Sequence, residues 1–173
     1  MKSIDEIDRN VLKDHLIKNW MTHDATWFFM VFQKYGIEAA NDLNKESIKV
    51  LAAFETQRAR RLLKMDENRI TSFEPLKMFF DEMFRLSTGE FMGFNYHWPE
   101  ENVLQWDFRD GTCFAYRGMQ RLGVADQYDC GVIYRVLKWI ELAGIRYEIS
   151  PRIEGCLQHT MGKCSGRIRF FFD

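Results

Sequence analysis

Apolar side chains recur at helical spacing through the first half of the chain. Residues 5–20 place large apolar side chains three or four positions apart, behind acidic residues that suit a helix N-terminus. Residues 22–35 are apolar on nearly every face, and Gly36 is placed to end that segment. The spacing therefore predicts two successive helices, of which the second is the central and buried one.

Two further long helices, with a short one before them, follow in the first half. Residues 37–42 fit a short helix, and Asn44 is suited to cap a longer one that reaches Lys64. Ser72 opens a last helix, in which Pro75 is tolerated in the first turn. The first half of the chain is therefore predicted to be entirely helical.

The hydrophobic period changes after Gly89. The later segments are strands 90–98 and 102–110, helices 112–122 and 126–142, and strands 145–150 and 167–172. This order, four helices, two strands, two helices and two strands, predicts an α+β protein. Its helical N-terminal half should pack on a small antiparallel or mixed four-stranded sheet. With no linker visible, residues 1–173 are predicted to form a single domain, helical over 1–88 and ββααββ over 89–173.

The composition is that of a globular chain rich in aromatic side chains. Its 173 residues are 46% hydrophobic and 15% aromatic, which favours an aromatic-lined pocket or an interface. A net charge of -1 provides no basic field for nucleic acid or an anionic membrane surface. No apolar run reaches the length of a membrane span, and the start, MKSIDEIDRN, lacks the form of a secretory signal. We therefore expect a cytoplasmic protein that binds neither nucleic acid nor membrane.

The segment NWMTHDATWFF places polar side chains within a run of Trp, Met and Phe. On one continuous helix Trp20, His23 and Trp27 share a face, while Asp24 lies about 100° around from His23. Desolvation between two indoles favours a neutral imidazole, which can act as a base, a ligand or a hydrogen-bond partner. The simpler interpretation is that a threonine or the aspartate caps a helix and the tryptophans belong to the core.

A ligand pocket is the alternative hypothesis for this segment. Arg58 or Arg60 could pair with Asp24 from another helix, and Glu55 would extend that polar network. Two later residues, Trp106 and Arg117, are candidates for holding a carboxylate-bearing ligand. No catalytic residue is assigned. The predicted ligand-binding residues are therefore Trp20, His23, Asp24, Trp27, Arg58, Trp106 and Arg117.

All four cysteines lie in the last third of the chain. Without a secretory signal, free thiols, metal ligands or redox groups are favoured over structural disulfides. The run GCLQHTMGKCSG spaces Cys156, His159 and Cys164 so that two thiolates and an imidazole can converge on one Zn²⁺. Cys130 or Cys113 is the available fourth ligand, each near a helix start, where the pKa of a thiol falls. The metal prediction is a zinc site at Cys130, Cys156, His159 and Cys164, with reactive thiols or plain buried cysteines as alternatives.

Several stretches resemble known families. WMTHDATWFF, the helix ending in residues 55–61 and the run ISPRIEGCLQHTMGKCSGRIRFFF together resemble an uncharacterised family of prokaryotic cytosolic proteins with a W-M-T-H-D-x-x-W-F motif. Residues 90–173 remotely resemble the 4-vinyl reductase domain, which implies a superfold that binds small apolar ligands or acyl chains, often as a dimer. The cysteine-rich half is also loosely similar to the thiazoline-carboxylate hydrolase-like family, which implies an enzyme.

Three functional hypotheses follow from these patterns. The first is a cytosolic small-molecule-binding domain with an aromatic-lined pocket and a Cys/His metal site. The second is a metal- or thiol-dependent hydrolase, and the third is a structural or assembly subunit. A small-molecule ligand is the predicted partner, and a homodimer is the predicted assembly.

Overall fold

The order of elements follows the sequence prediction, except that the long helices have fewer breaks and a short helix lies between the last two strands. The computed structural model describes residues 3–65 and 70–172. Helices are α1 (residues 9–35), α2 (residues 37–63), α3 (Phe73–Ser87), α4 (Phe114–Leu122), α5 (Gly131–Leu142) and α6 (Leu157–Thr160). Strands are β1 (Phe94–Glu100), β2 (Val103–Phe108), β3 (Arg146–Ser150) and β4 (Ser165–Phe171), and short 3-10 turns occupy Ile4–Glu6 and Glu90–Met92. The predicted α+β class is confirmed.

The first two helices form a long hairpin. Helical structure runs over Arg9–Leu63 and is interrupted at Gly36, whose φ of +85° suits a residue without a Cβ. The two arms fold back on each other, so that Phe28 of α1 and Ala40 of α2 line one narrow gap. Gly36 thus acts as the turn of the hairpin, and the prediction that a helix ends there is confirmed.

The break predicted between residues 20 and 22 is wrong. Thr22 lies inside α1, where its Oγ1 donates to the Lys18 carbonyl at 2.8 Å, and Thr26 Oγ1 donates to the Thr22 carbonyl at 2.7 Å. A threonine hydroxyl that bonds four residues back is satisfied without capping a helix. The interpretation of Thr22 or Asp24 as a cap is therefore wrong.

The break predicted at Asn44 is also wrong, because α2 continues through it. A neighbouring amide, Asn41, makes the long-range polar contacts. Its Nδ2 donates to the Gln127 carbonyl at 2.7 Å, and its Oδ1 accepts from the Asp129 N–H at 3.2 Å. The hairpin therefore fixes the loop that leads into α5.

The four strands form one antiparallel sheet in the order β1-β2-β4-β3. The central strands are β2 and β4, where Trp106 lies opposite Gly166. The predicted last strand pair is confirmed as neighbours, with Arg146 opposite Phe171, although α6 lies in the connection between them. The helices cover the face of the sheet on which Trp106 is buried.

One hydrophobic core joins side chains of the hairpin, α3, α5 and the sheet. The ring of Phe80 on α3 is fully buried and its centroid lies 5.6 Å from that of Phe170 on β4. The second half of α1 is not the central helix that its composition predicts, because Trp27 is 61% exposed and Tyr35 62%. Within the described residues, no helix is both long and apolar enough to cross a membrane.

Candidate functional site

A cavity of about 190 Å³ lies between the hairpin, α3, the first two strands and α5. Its wall is predominantly apolar. The aromatic lining residues are Trp20, Phe84, Phe94, Phe108, Phe114, Tyr128 and Trp139. Because an engineered apolar cavity of about 150 Å³ binds benzene, a space of this size suits a molecule with one or two rings.

A guanidinium group lies in the cavity wall between two indoles. The Arg135 guanidinium is 4.5 Å from the ring centroid of Trp20 and 5.1 Å from that of Trp139. Its Nε donates to Glu55 Oε2 at 2.8 Å and its Nη2 donates to Glu55 Oε1. The Trp139 Nε1 donates to the same carboxylate at 3.0 Å. Both charged side chains are 17% exposed, so this bidentate pair is a fixed and mostly buried part of the wall.

Asp24 supplies a carboxylate at the mouth of the cavity. It lines both the cavity and the narrow gap between the hairpin arms, and its side chain still reaches solvent. Burial raises the pKa of Asp24 above its ordinary value, and the charges of Arg135 and His23 partly oppose that rise. Since Glu55 already pairs with Arg135, the Asp24 carboxylate is the charged group that the cavity lining leaves available to a ligand.

A buried phenol, that of Tyr128, also lines the cavity. The Tyr128 hydroxyl oxygen accepts from the Gly131 N–H at 3.1 Å. Burial raises the pKa of Tyr128 well above its ordinary value, so the phenol is neutral at physiological pH. A neutral phenol retains a proton that it can donate to a ligand oxygen or nitrogen.

The structure separates the predicted residues of α1 and α2. Trp20 and Asp24 line the cavity. In contrast, His23 and Trp27 are exposed. The His23 imidazole is therefore not enclosed between the indoles of Trp20 and Trp27. Arg58 is also exposed and lies with its guanidinium carbon 5.6 Å from the centroid of the Phe54 ring. Asp24 therefore has Arg135, rather than Arg58, as its cationic neighbour.

The two later candidates lie outside the cavity lining. Trp106 is 2% exposed and lines a small void in the sheet beside Phe84 and Phe94. Arg117 is exposed on α4, where its Nε donates to the Gly111 carbonyl. The sequence prediction missed Arg135 and Trp139, which both line the cavity. Their signal was an arginine and a tryptophan four positions apart among the apolar side chains of α5.

The four cysteines approach one another in the core. Cys113, Cys130 and Cys156 each precede a helix, and Cys164 precedes β4. All are free thiols, buried except for the half-buried Cys130, while His159 is exposed. In the part of the chain that the structure describes, no three His, Cys, Asp or Glu side chains are arranged to hold a metal ion. The zinc site at Cys130, Cys156, His159 and Cys164 therefore stays a prediction.

The native thiols are expected to react slowly with alkylating reagents. Burial raises the pKa of Cys113, and it raises the pKa of Cys130 and Cys164 to about 12. At neutral pH the thiolate fraction of the latter two is then about 10³-fold below that of a free cysteine. Iodoacetamide labelling followed by peptide mass spectrometry measures each site, with protein unfolded in guanidinium chloride as the control. Rapid labelling of native Cys130 or Cys164 would contradict this assignment.

Fold and site together define an α+β protein with an aromatic cavity enclosed partly by a helical hairpin. Residues 4–88 match the model of a family of unknown function, DUF6125. The match includes the stretch WMTHDATWFF, the hairpin and α3. No curated protein and no solved structure matches the chain. The resemblances of the second half to the 4-vinyl reductase domain and to the thiazoline-carboxylate hydrolase-like family are not confirmed by these comparisons.

Proposed function

We propose that the cavity binds a small organic cation with an aromatic or other apolar body. The observation that carries this proposal is the Asp24 carboxylate at the mouth of an aromatic-lined cavity, next to a guanidinium that is already paired with Glu55. The protein would then act as a binding module for a small metabolite.

The aromatic wall and the carboxylate act on different parts of such a ligand. Burying a body of one or two rings, about 150–250 Å² of apolar surface, contributes roughly 4–6 kcal/mol before the costs of association. A positive group beside Asp24 gains a charged hydrogen bond, and the faces of nearby rings such as Trp20 also attract a cation. Together these terms support affinities on the order of micromolar.

Other ligand and reaction classes receive less support from the same geometry. An anionic ligand would meet the Asp24 carboxylate, and it would have to compete with Glu55 for the Arg135 guanidinium. Thiol-dependent hydrolysis requires an accessible thiolate, whereas burial raises the pKa of Cys113, Cys130 and Cys164. The first observation favours a cationic ligand over an anionic one. The second counts against a thiol-dependent hydrolase.

Three probes that share one ring system separate charge from shape. Tryptamine, 3-methylindole and indole-3-acetate are expected to bind in that order of decreasing affinity in isothermal titration calorimetry. Asp24→Asn should weaken tryptamine binding about tenfold, the loss of one charged hydrogen bond, and leave 3-methylindole binding unchanged. Because protonation removes the carboxylate charge, tryptamine affinity should fall as the pH drops through the raised pKa of Asp24. The variant should lack this dependence.

The matched control is Asp42→Asn, which removes an exposed carboxylate of α2 that does not line the cavity. It should bind all three probes as the wild type does. The proposal fails if no probe raises the melting temperature, if the three probes bind equally, or if Asp24→Asn leaves tryptamine affinity unchanged.

A further inference from the structure

Large apolar side chains lie exposed along the hairpin, and they form what we term the hairpin stripe. Its members, each between 48% and 61% exposed, are Leu16, Trp27 and Met30 on α1 and Leu43, Val50 and Phe54 on α2. On each arm the spacing repeats by three, four, seven or eleven positions, which keeps the side chains on one helix face. Since Trp27 and Leu43 line the same gap between the arms, the two rows form one continuous surface.

The size of the hairpin stripe is that of a protein interface. Half-exposed side chains of this kind leave about 100 Å² each in contact with water, so the six together expose about 600 Å². Monomers rarely expose a larger apolar patch, and stable complexes bury about 800 Å² per partner. With the polar side chains at its edges, the hairpin stripe supplies the area that a stable dimer requires.

The charges beside the hairpin stripe are complementary to a second copy in the reverse direction. Exposed Asp42 lies toward the turn of the hairpin, and exposed Arg58 lies toward its other end. A second α2 placed antiparallel and centred on Val50 sets Asp42 opposite Arg58 of the partner subunit. Two-fold symmetry forms this pair twice, whereas a parallel arrangement would bring like charges together.

We propose that the hairpin stripe is the interface of a two-fold dimer, in which two hairpins pack antiparallel as a four-helix bundle with Val50 near the axis. None of the six members of the hairpin stripe lines the cavity, although Trp27 and Leu43 adjoin Asp24 in the gap between the arms. Dimerisation and ligand binding are therefore separate properties that separate experiments address.

Light scattering coupled to size-exclusion chromatography tests the assembly. The wild type should elute as a dimer at micromolar concentrations. Val50→Glu should raise the dimer dissociation constant by about 100-fold or more, because it places two carboxylates at the axis. Val50 is 58% exposed, so the monomer should keep its circular dichroism spectrum. The matched control is Met78→Glu on α3, also exposed, which should remain a dimer.

A charge exchange tests the direction of pairing. Asp42→Arg and Arg58→Asp should each weaken the dimer roughly fivefold to tenfold, and the double variant should regain most of the loss. Val50→Cys should form a disulfide between subunits on mild oxidation, whereas Met78→Cys should not. A monomeric wild type, a Val50→Glu variant that stays dimeric, or a double variant weaker than both single variants would each overturn the proposal.

Discussion

Replacing Glu55 by glutamine is expected to lower the free energy of unfolding by about 3 kcal/mol. Glu55 accepts from Arg135 Nε and Nη2 and from Trp139 Nε1, and its side chain is 17% exposed. The glutamine has one acceptor oxygen and turns an amide N–H₂ toward the guanidinium, which then stays buried without the carboxylate that accepts its hydrogen bonds. Urea denaturation measures the loss as a lower midpoint at an unchanged slope.

A surface pair provides the matched control for Glu55. Glu46 lies 3.8 Å from Lys49 with a side chain that is 70% exposed, so Glu46→Gln should change stability by less than about 0.5 kcal/mol. If the cost at Glu55 arises from an unpaired buried charge, adding Arg135→Met to the Glu55 variant should restore part of the stability. A loss below about 1 kcal/mol at Glu55 would contradict the account.

The second large effect is expected at Gly166 on β4. A Cβ at this position would lie 2.6 Å from Trp106 Cζ2 and 2.6 Å from the Ser150 carbonyl oxygen. Trp106 is 2% exposed and fills the core beneath the sheet, and the carbonyl belongs to the backbone of β3, so neither can shift at low cost. Gly166→Ala should therefore lower the free energy of unfolding by about 3 kcal/mol.

Gly118 is the control for this substitution. It lies within α4, and a Cβ there would meet nothing within 4 Å. Gly118→Ala should raise stability by about 0.5–1 kcal/mol, since alanine is the better helix former. Thermal and urea unfolding of both variants gives the comparison. A Gly166→Ala protein as stable as the wild type would contradict this prediction. It would mean that β2 and β3 move away from Gly166 at little cost in free energy.

The sequence predicted the fold class because the change of hydrophobic period at Gly89 is a local signal. It predicted a break inside α1 because the hydrogen bonds of Thr22 run inside a helix, and residue identity does not distinguish these from capping bonds. It also assigned residues 22–35 to the centre of the core. A helix that is apolar on every side does not show which side faces outward, and Trp27 lies on that side.

The candidate site was predicted in part for a similar reason. Asp24 and Trp20 are visible as a polar and an aromatic residue within one apolar run, and both line the cavity. The Glu55 and Arg135 pair joins residues 80 positions apart, so no local pattern reveals it. The sequence analysis instead proposed Arg58 or Arg60 as the partner of Asp24, with Glu55, three positions from Arg58, extending that network.

The cavity is built by both halves of the chain, and this arrangement has an evolutionary consequence. The hairpin contributes Trp20 and Asp24, which fall within the matched residues 4–88, whereas Arg135 and Trp139 come from the later half. A relative with the same hairpin and a different second half would keep the Asp24 carboxylate at the mouth of the cavity. The rest of its cavity wall would differ. A change in the second half would then alter the ligand preference that we propose for the cavity, without a substitution in the hairpin.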